Sequence, residues 1–413
     1  MELTISNVFN RKIEISKFIN FTFLILCVLS NDYFFYLLPS NGVTRSLYFI
    51  FTFFWTLYTL LINSRHSIRL KNCKFLFFNL FAILFVFIAS FQGAKNYGQT
   101  FINGFFPQRT FLSSFLLCIP IYFNFKANRF NQENLEKLLK WIVILQLIIY
   151  FGQWLVAKYV VFLSCLMYVQ NFGARMYTNS ACMQFMFFIL LSRIFNTNAY
   201  KTKLKDLIFL FFILLYFIVC NQHRNLIITS FMMTITAFII GKKNIGNKIL
   251  LIVPIFIACL LFINTQYFKD LYSTLINNLG TMNVRNNARD YYLESLKENN
   301  LFFGYGYANS TNFNAYNISG MSKGYLLADN GIYGFFYSYG LFGVIWYFIY
   351  LIIVFISGLK QRKNFNNTIL LLIFFYNLYS ITIDSFFFEN YSIKFTFTFI
   401  IYLIFKFQCW NKY

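Results

Sequence analysis

Histidine is nearly absent from this chain, with only His66 and His223 among 413 residues, and that scarcity excludes a histidine-built metal centre. No C-x-x-C spacing links the eight cysteines, most of which fall inside apolar runs, so they read as small buried hydrophobes rather than metal ligands or disulfides. Charge is scarce as well, 12% of residues against 59% hydrophobic. The period-two alternation of an outer-membrane barrel is missing too. What is present is a succession of uniformly apolar, Phe-rich runs of bilayer-crossing length, and in lipid such runs satisfy their backbone groups only as helices. The sequence therefore predicts an all-α polytopic membrane protein, one membrane domain over 1–413.

Twelve spans are expected, at 18–38, 46–62, 75–91, 110–125, 141–157, 177–195, 206–220, 225–240, 249–263, 333–356, 368–384 and 393–407. The run 159–169 is too short to cross and is expected to continue the fifth helix or to lie at the interface. The first span lacks a clear small-residue cleavage site and reads as an uncleaved helix. With the N-terminus inside, 23 of the 35 Lys and Arg fall in inner segments, so the positive-inside rule places both termini in the cytoplasm of a multi-pass protein in the cytoplasmic membrane. That bias, facing anionic lipid, explains most of the +22 net charge without nucleic acid.

One connection is long. The outer loop 264–331, between the ninth and tenth spans, contains "NVRNNARDYYLESLKENNLFFGYG", which reads as a helix over 286–299. Of the 23 lysines 17 lie inside, whereas the 12 arginines divide evenly, with Arg45, Arg109, Arg175, Arg224, Arg285 and Arg289 outside. Guanidinium offers a rigid donor fork matched to phosphate and carboxylate, so this enrichment is what an outward anion site requires, as well as what interfacial snorkelling produces. Arg285 and Arg289 stack at i, i+4 without an acidic partner in their own helix, and Asp290 stacks on Glu294. Arg224, in the short turn "CNQHRN", serves either as an interfacial anchor or as a ligand group, with His223 beside it a capping or turn residue. The Tyr-, Asn- and Gly-rich segment after the helix, with Tyr305 and Tyr325, offers flat faces and hydrogen bonds suited to sugar or to a solvated loop. Gly304 and Gly306 form a lone G-x-G that is no nucleotide fingerprint, because neither the strand nor the third glycine is there. Asp329 opens the tenth span either as a cap or as a base, and Gly331, Gly334, Gly340 and Gly343 leave a small-residue stripe for close packing.

The order of these pieces resembles the O-antigen and capsular repeat-unit polymerases (Wzy type), in the larger group that includes the O-antigen ligases. The similar features are an Arg in a short outer turn, a large outer loop with an Arg about twenty residues before an apolar pair and G-x-G, and "DNGIYGFFYSYGLFG" opening the next helix. The resemblance implies a GT-C-like, metal-independent glycosyltransferase that needs no cofactor. It would transfer a growing glycan from undecaprenyl pyrophosphate to another lipid-linked unit, for O-antigen, capsule or exopolysaccharide. A chain-length regulator and a flippase would be its partners. Carried over, Arg224 matches the turn Arg, Arg285 the loop Arg with Arg289 next to it, and Asp329 the D-x-G start. Arg175, His223, Asp290, Glu294, Tyr305 and Tyr325 are expected to bind substrate. The group's ligases carry a loop His, and 264–331 has none, which favours polymerase. A flippase of lipid-linked oligosaccharide is the competing class, but it would show charges inside its spans and repeated halves, whereas the centres of these spans carry little charge apart from Asp32 and the long loop occurs once.

Overall fold

The computed structural model describes residues 2–39, 41–63, 74–130, 132–169, 173–196, 200–243, 246, 279–298, 301–382 and 393–410; the expected span 249–263 lies outside them. Helices form where the apolar runs are uninterrupted. The first three are α1 (Glu2–Asn31), α2 (Gly42–Asn63) and α3 (Lys74–Tyr97), followed by the short α4 (Phe101–Phe105). The expected single span 110–125 is instead two helices, α5 (Arg109–Leu116) and α6 (Cys118–Lys126). Pro120 explains the break: its ring opposes the carbonyl of Leu116 four residues back and it has no N–H to donate.

Helix α7 (Gln132–Val156) ends before 159–169, which therefore does not continue it. Gln153 holds that segment extended: its Nε2 donates to the Val160 carbonyl at 2.9 Å, and its Oε1 accepts from Phe162 N at 2.8 Å and Leu163 N at 3.0 Å. The segment then enters a hairpin, β1 (Met167–Val169) antiparallel to β2 (Ala174–Met176), with Tyr168 opposite Arg175. This hairpin is the departure from the all-α expectation.

Helices α8 (Ala181–Asn196), α9 (Tyr200–Tyr216) and α10 (Arg224–Ile240) follow. After the undescribed stretch come α11 (Leu279–Glu298), α12 (Phe313–Ile318), α13 (Gly331–Phe365), α14 (Ile369–Ser380) and α15 (Ile393–Trp410). Six of the helical stretches are long and apolar enough to cross a membrane. They expose Phe53, Phe54, Phe77, Ile148 and Ile352 to the outside, a surface that water would not tolerate and lipid requires. The chain is an α-helical membrane-embedded protein.

Polar side chains join the helices where lipid gives no hydrophobic drive. Asn20 of α1 accepts from Trp55 Nε1 of α2 at 2.8 Å and from Asn124 Nδ2 of α6 at 3.0 Å, and Trp55 is fully buried. Asn20→Leu leaves the indole N–H unmatched, and the expected loss is about 1–2 kcal/mol, read as earlier unfolding in a denaturing-detergent titration. At one end of the bundle Arg193 meets Glu136, Lys243 donates to the Ile194 carbonyl, and Asn196 reaches Thr368 at 3.1 Å. Arg224 lies at the other end of α10, and Arg175 in the strand that precedes the other end of α8.

Helix α13 is broken at Gly340, where φ is 66° and ψ −168°. The kink frees backbone groups that the loop segment after α11 takes up: Leu341 N donates to Leu301 O at 3.0 Å, and Tyr305 N donates to Tyr337 O at 2.7 Å. On the other side Tyr307 N donates to Ala89 O of α3 at 3.0 Å, while Gln99 Nε2 donates to Tyr307 O at 2.7 Å. The lone G-x-G therefore has a structural purpose, since Gly304 lies against Gly340 and Gly306 against Gly93 at distances no side chain would permit. Of the small-residue stripe, Gly340 admits the loop backbone rather than another helix.

Candidate functional site

Helix α9 closes in a π-helical turn, Phe217–Asn221, and Gln222 reverses the chain at a φ of 51°. Extended His223 follows, and α10 starts at Arg224. His223 stands at the cap position, yet its side chain makes no capping hydrogen bond. A guanidinium on the first residue of a helix meets the positive end of the helix dipole, an arrangement favourable only when an anion is there as well. Two further arginines add to the positive potential. Partial burial, then the charges of Arg175 and Arg285, pull the Arg224 guanidinium below its ordinary range.

Arg175 comes from β2, half-buried, with its guanidinium 4.7 Å from the Tyr177 ring and its buried Nε unmatched among the described residues. Arg285 comes from α11, which starts earlier than the expected 286–299. Three of the expected residues, from a hairpin, an interhelical turn and the long loop, thus lie near enough for the charges of Arg175 and Arg285 to act on Arg224. The structure adds Asn225, which the sequence reading passed over. This residue is 8% exposed, and its Nδ2 lacks a partner among the described residues. Its only signal was a position directly after Arg224.

Arg289 takes a different part from Arg285 one turn earlier. Its Nη2 donates to the Thr382 carbonyl at 2.9 Å, and its guanidinium lies 5.3 Å from the Tyr333 ring. It ties α11 to the start of α13 and the chain just after α14.

Tyr305 and Tyr325 belong to one tyrosine cluster. Tyr305 stacks on Tyr337 with ring centroids 5.2 Å apart, Tyr337 meets Tyr292 at 4.8 Å, and Tyr291 meets Tyr325 at 5.7 Å. Tyr292 also donates to the Tyr325 carbonyl at 3.0 Å. The cluster packs the loop helix against α13, so much of each face is already covered.

Asp329 is exposed in the 3-10 turn Leu327–Asn330, and Asn330 takes the cap position of α13 without a side-chain capping bond, its Nδ2 donating instead to the Leu326 carbonyl at 2.8 Å. The capping alternative for Asp329 is thereby removed; its charge is felt by Tyr292 of α11. Asp290 and Glu294 are exposed on α11 and form no ion pair among the described residues. None of the three carboxylates is brought into contact with the arginines.

Between α7 and α9 runs a purely apolar groove of about 590 Å³, lined by Ile144, Phe151, Leu155, Phe212, Leu215 and Val219 among others. It opens at mid-helix and ends at Val219, in the π-helical turn before Arg224. Trp154 closes the same end against Gly173, whose added Cβ would lie 2.2 Å from the indole Nε1, and Gly173 leads into the strand that carries Arg175. One end of the groove is thus lined by Val219, in the turn that leads to Arg224, and by Trp154, which packs on the residue that leads to the Arg175 strand. No group of three or more His, Cys, Asp or Glu gathers among the described residues. Set against known families and curated proteins, the chain matches no family profile and no curated sequence.

Proposed function

We propose that this chain is a glycosyltransferase of the cytoplasmic membrane, with twelve spans in a GT-C-like arrangement, that polymerises lipid-linked oligosaccharide units. The observation that carries this reading is the convergence of Arg175, Arg224 and Arg285 from three separate segments. Three guanidinium groups in partial burial suit a diphosphate, and the apolar groove with one end at Val219 and Trp154 suits the polyprenyl chain that such a diphosphate would bear.

In the transfer, an acceptor sugar hydroxyl attacks the anomeric carbon of the donor glycan. The bond from that carbon to the diphosphate oxygen breaks, and the electron pair leaves with the diphosphate. Fixed arginines stabilise the developing negative charge at no reorganisation cost and hold the lipid in register. The proton of the acceptor passes to a base, for which Asp329, Asp290 and Glu294 are the candidates, and each reaches water on the loop side.

Electrophoresis of surface glycan from a strain lacking the chain tests the reading. Single-repeat product in place of the ladder is the expected result. Long free polymer that is not joined to its anchor would instead identify a ligase, and absence of all surface glycan a flippase.

A further inference from the structure

One buried acidic group has no use in the proposed transfer. Asp32 follows the last residue of α1 and is 1% exposed. A left-handed turn comes directly after it, with φ of 50°, 50°, 62° and 60° at Tyr33, Phe34, Phe35 and Tyr36. Non-glycine residues adopt that conformation at a cost of roughly 1–2 kcal/mol each, so surrounding structure must hold them. It does: Ser164 N donates to Tyr36 O at 2.8 Å, and Asn179 N donates to Tyr36 Oη at 2.9 Å. The carboxyl is fixed in place.

Gln146 Nε2 of α7 donates to Asp32 Oδ2. The remaining oxygens are unmatched: Asp32 Oδ1, Gln146 Oε1 and Tyr150 Oη are all buried without a hydrogen-bond partner among the described residues. Gln146 and Tyr150 stand one turn apart on α7, so both project to one side. Tyr150 of α7 and Cys182 of α8 both feel the Asp32 charge, and Tyr36 and Tyr216 surround Tyr150. No lysine or arginine pairs with Asp32 among the described residues.

We propose that Asp32, Gln146 and Tyr150 form a site for one monovalent alkali cation of the Na⁺ type, bound through Oδ1, Oε1 and Oη. A buried carboxylate with one amide donor is left with most of its desolvation cost, and a bound cation removes it. The donors are all oxygen, the choice of a hard cation, and a single carboxylate matches a single positive charge rather than a divalent ion. A proton on Oδ1 would satisfy only one of the other two.

The test uses the full chain in lipid nanodiscs, with thermal unfolding followed in sodium chloride or choline chloride at equal ionic strength. The melting temperature of the wild type is expected to rise by about 2 °C per tenfold increase in Na⁺ above half-saturation, with no response to choline. Asp32→Asn is expected to melt alike in both salts and, without Na⁺, no earlier than the wild type, because it buries no charge. Tyr150→Phe keeps the response with half-saturation at several-fold higher Na⁺. Identical wild-type melting in both salts overturns the proposal, as does a Na⁺ response that survives in Asp32→Asn. Should Asp32→Asn fail to insert, the wild-type and Tyr150→Phe titrations decide, and an unchanged half-saturation in Tyr150→Phe counts against the site.

Discussion

Arg285→Ala and Arg224→Ala should each leave the protein in the membrane at its normal level while long-chain glycan disappears from the cell surface. The expected effect is large because, in the proposed transfer, each guanidinium would act where charge develops on the leaving diphosphate, and deletion of one such donor costs roughly 100-fold or more in rate. Arg285 is half-buried and makes no hydrogen bond or ion pair among the described residues, and Arg224 begins a helix that already has the rest of its ladder. The conservative Arg224→Lys keeps a charge but loses the fork, so it should restore only part of the polymer. Arg289→Ala gives the contrast. It removes the bond to Thr382 and the contact with Tyr333, weakening the seat of α11 by about 1–3 kcal/mol. Polymer then falls in amount without being abolished, and protease reaches Lys297 sooner. A ladder of normal length from both Arg224→Ala and Arg285→Ala would remove the arginine cluster from the mechanism.

The way these arginines meet shows which parts of the molecule the sequence makes legible. Helix positions follow from local composition, so α2, α3, α7 and the start of α13 fall close to the apolar runs that predict them. The deviations have local causes with tertiary expression. Pro120 splits a span, and Gln153 replaces a helical turn with an extended segment by offering three hydrogen bonds. Arg285 and Arg289 look equivalent on a helical wheel and differ only because Thr382 and Tyr333, far along the chain, meet one and not the other. Asn225 was illegible for the same reason, and Asp32 was legible only as a charge within a span: burial without a partner is a property of packing, and no periodicity records it. Asp329 was legible as a residue at a helix start but not in its role, since the 3-10 turn moves the cap to Asn330.

The G-x-G pair gives the second large effect. Gly306 has a φ of 94°, and a Cβ there would lie 2.1 Å from Gly93 N, 2.6 Å from the Gln92 carbonyl carbon and 2.7 Å from Ala89 O. All three are backbone atoms of α3, so nothing flexible is available to give way. Gly340 is as constrained: its backbone lies in a region essentially closed to other residues, and a Cβ would meet Gly304 N and Phe302 O at 2.3 Å. Gly306→Ala and Gly340→Ala are each expected to cost about 3–4 kcal/mol, the class reserved for backbone collision and strain. The loss falls first on the seat of the 301–308 segment, whose hydrogen bonds to α3 and α13 cannot form around an added methyl. Gly152→Ala is the control, since a Cβ at that helical position meets nothing within 4 Å and should stabilise the protein by about 0.5–1 kcal/mol. Limited trypsin digestion at exposed Lys297 and Lys323 separates the outcomes, with rapid cleavage in Gly306→Ala and Gly340→Ala and wild-type resistance in Gly152→Ala. Because the same segment fixes the far end of α11, loss of the seat also frees Arg285 from its neighbours, so the glycine variants should lose polymer without altering any charge. A Gly306→Ala protein that resists trypsin like the wild type would mean that the segment is not held between α3 and α13, and that Arg285 is positioned by α11 alone.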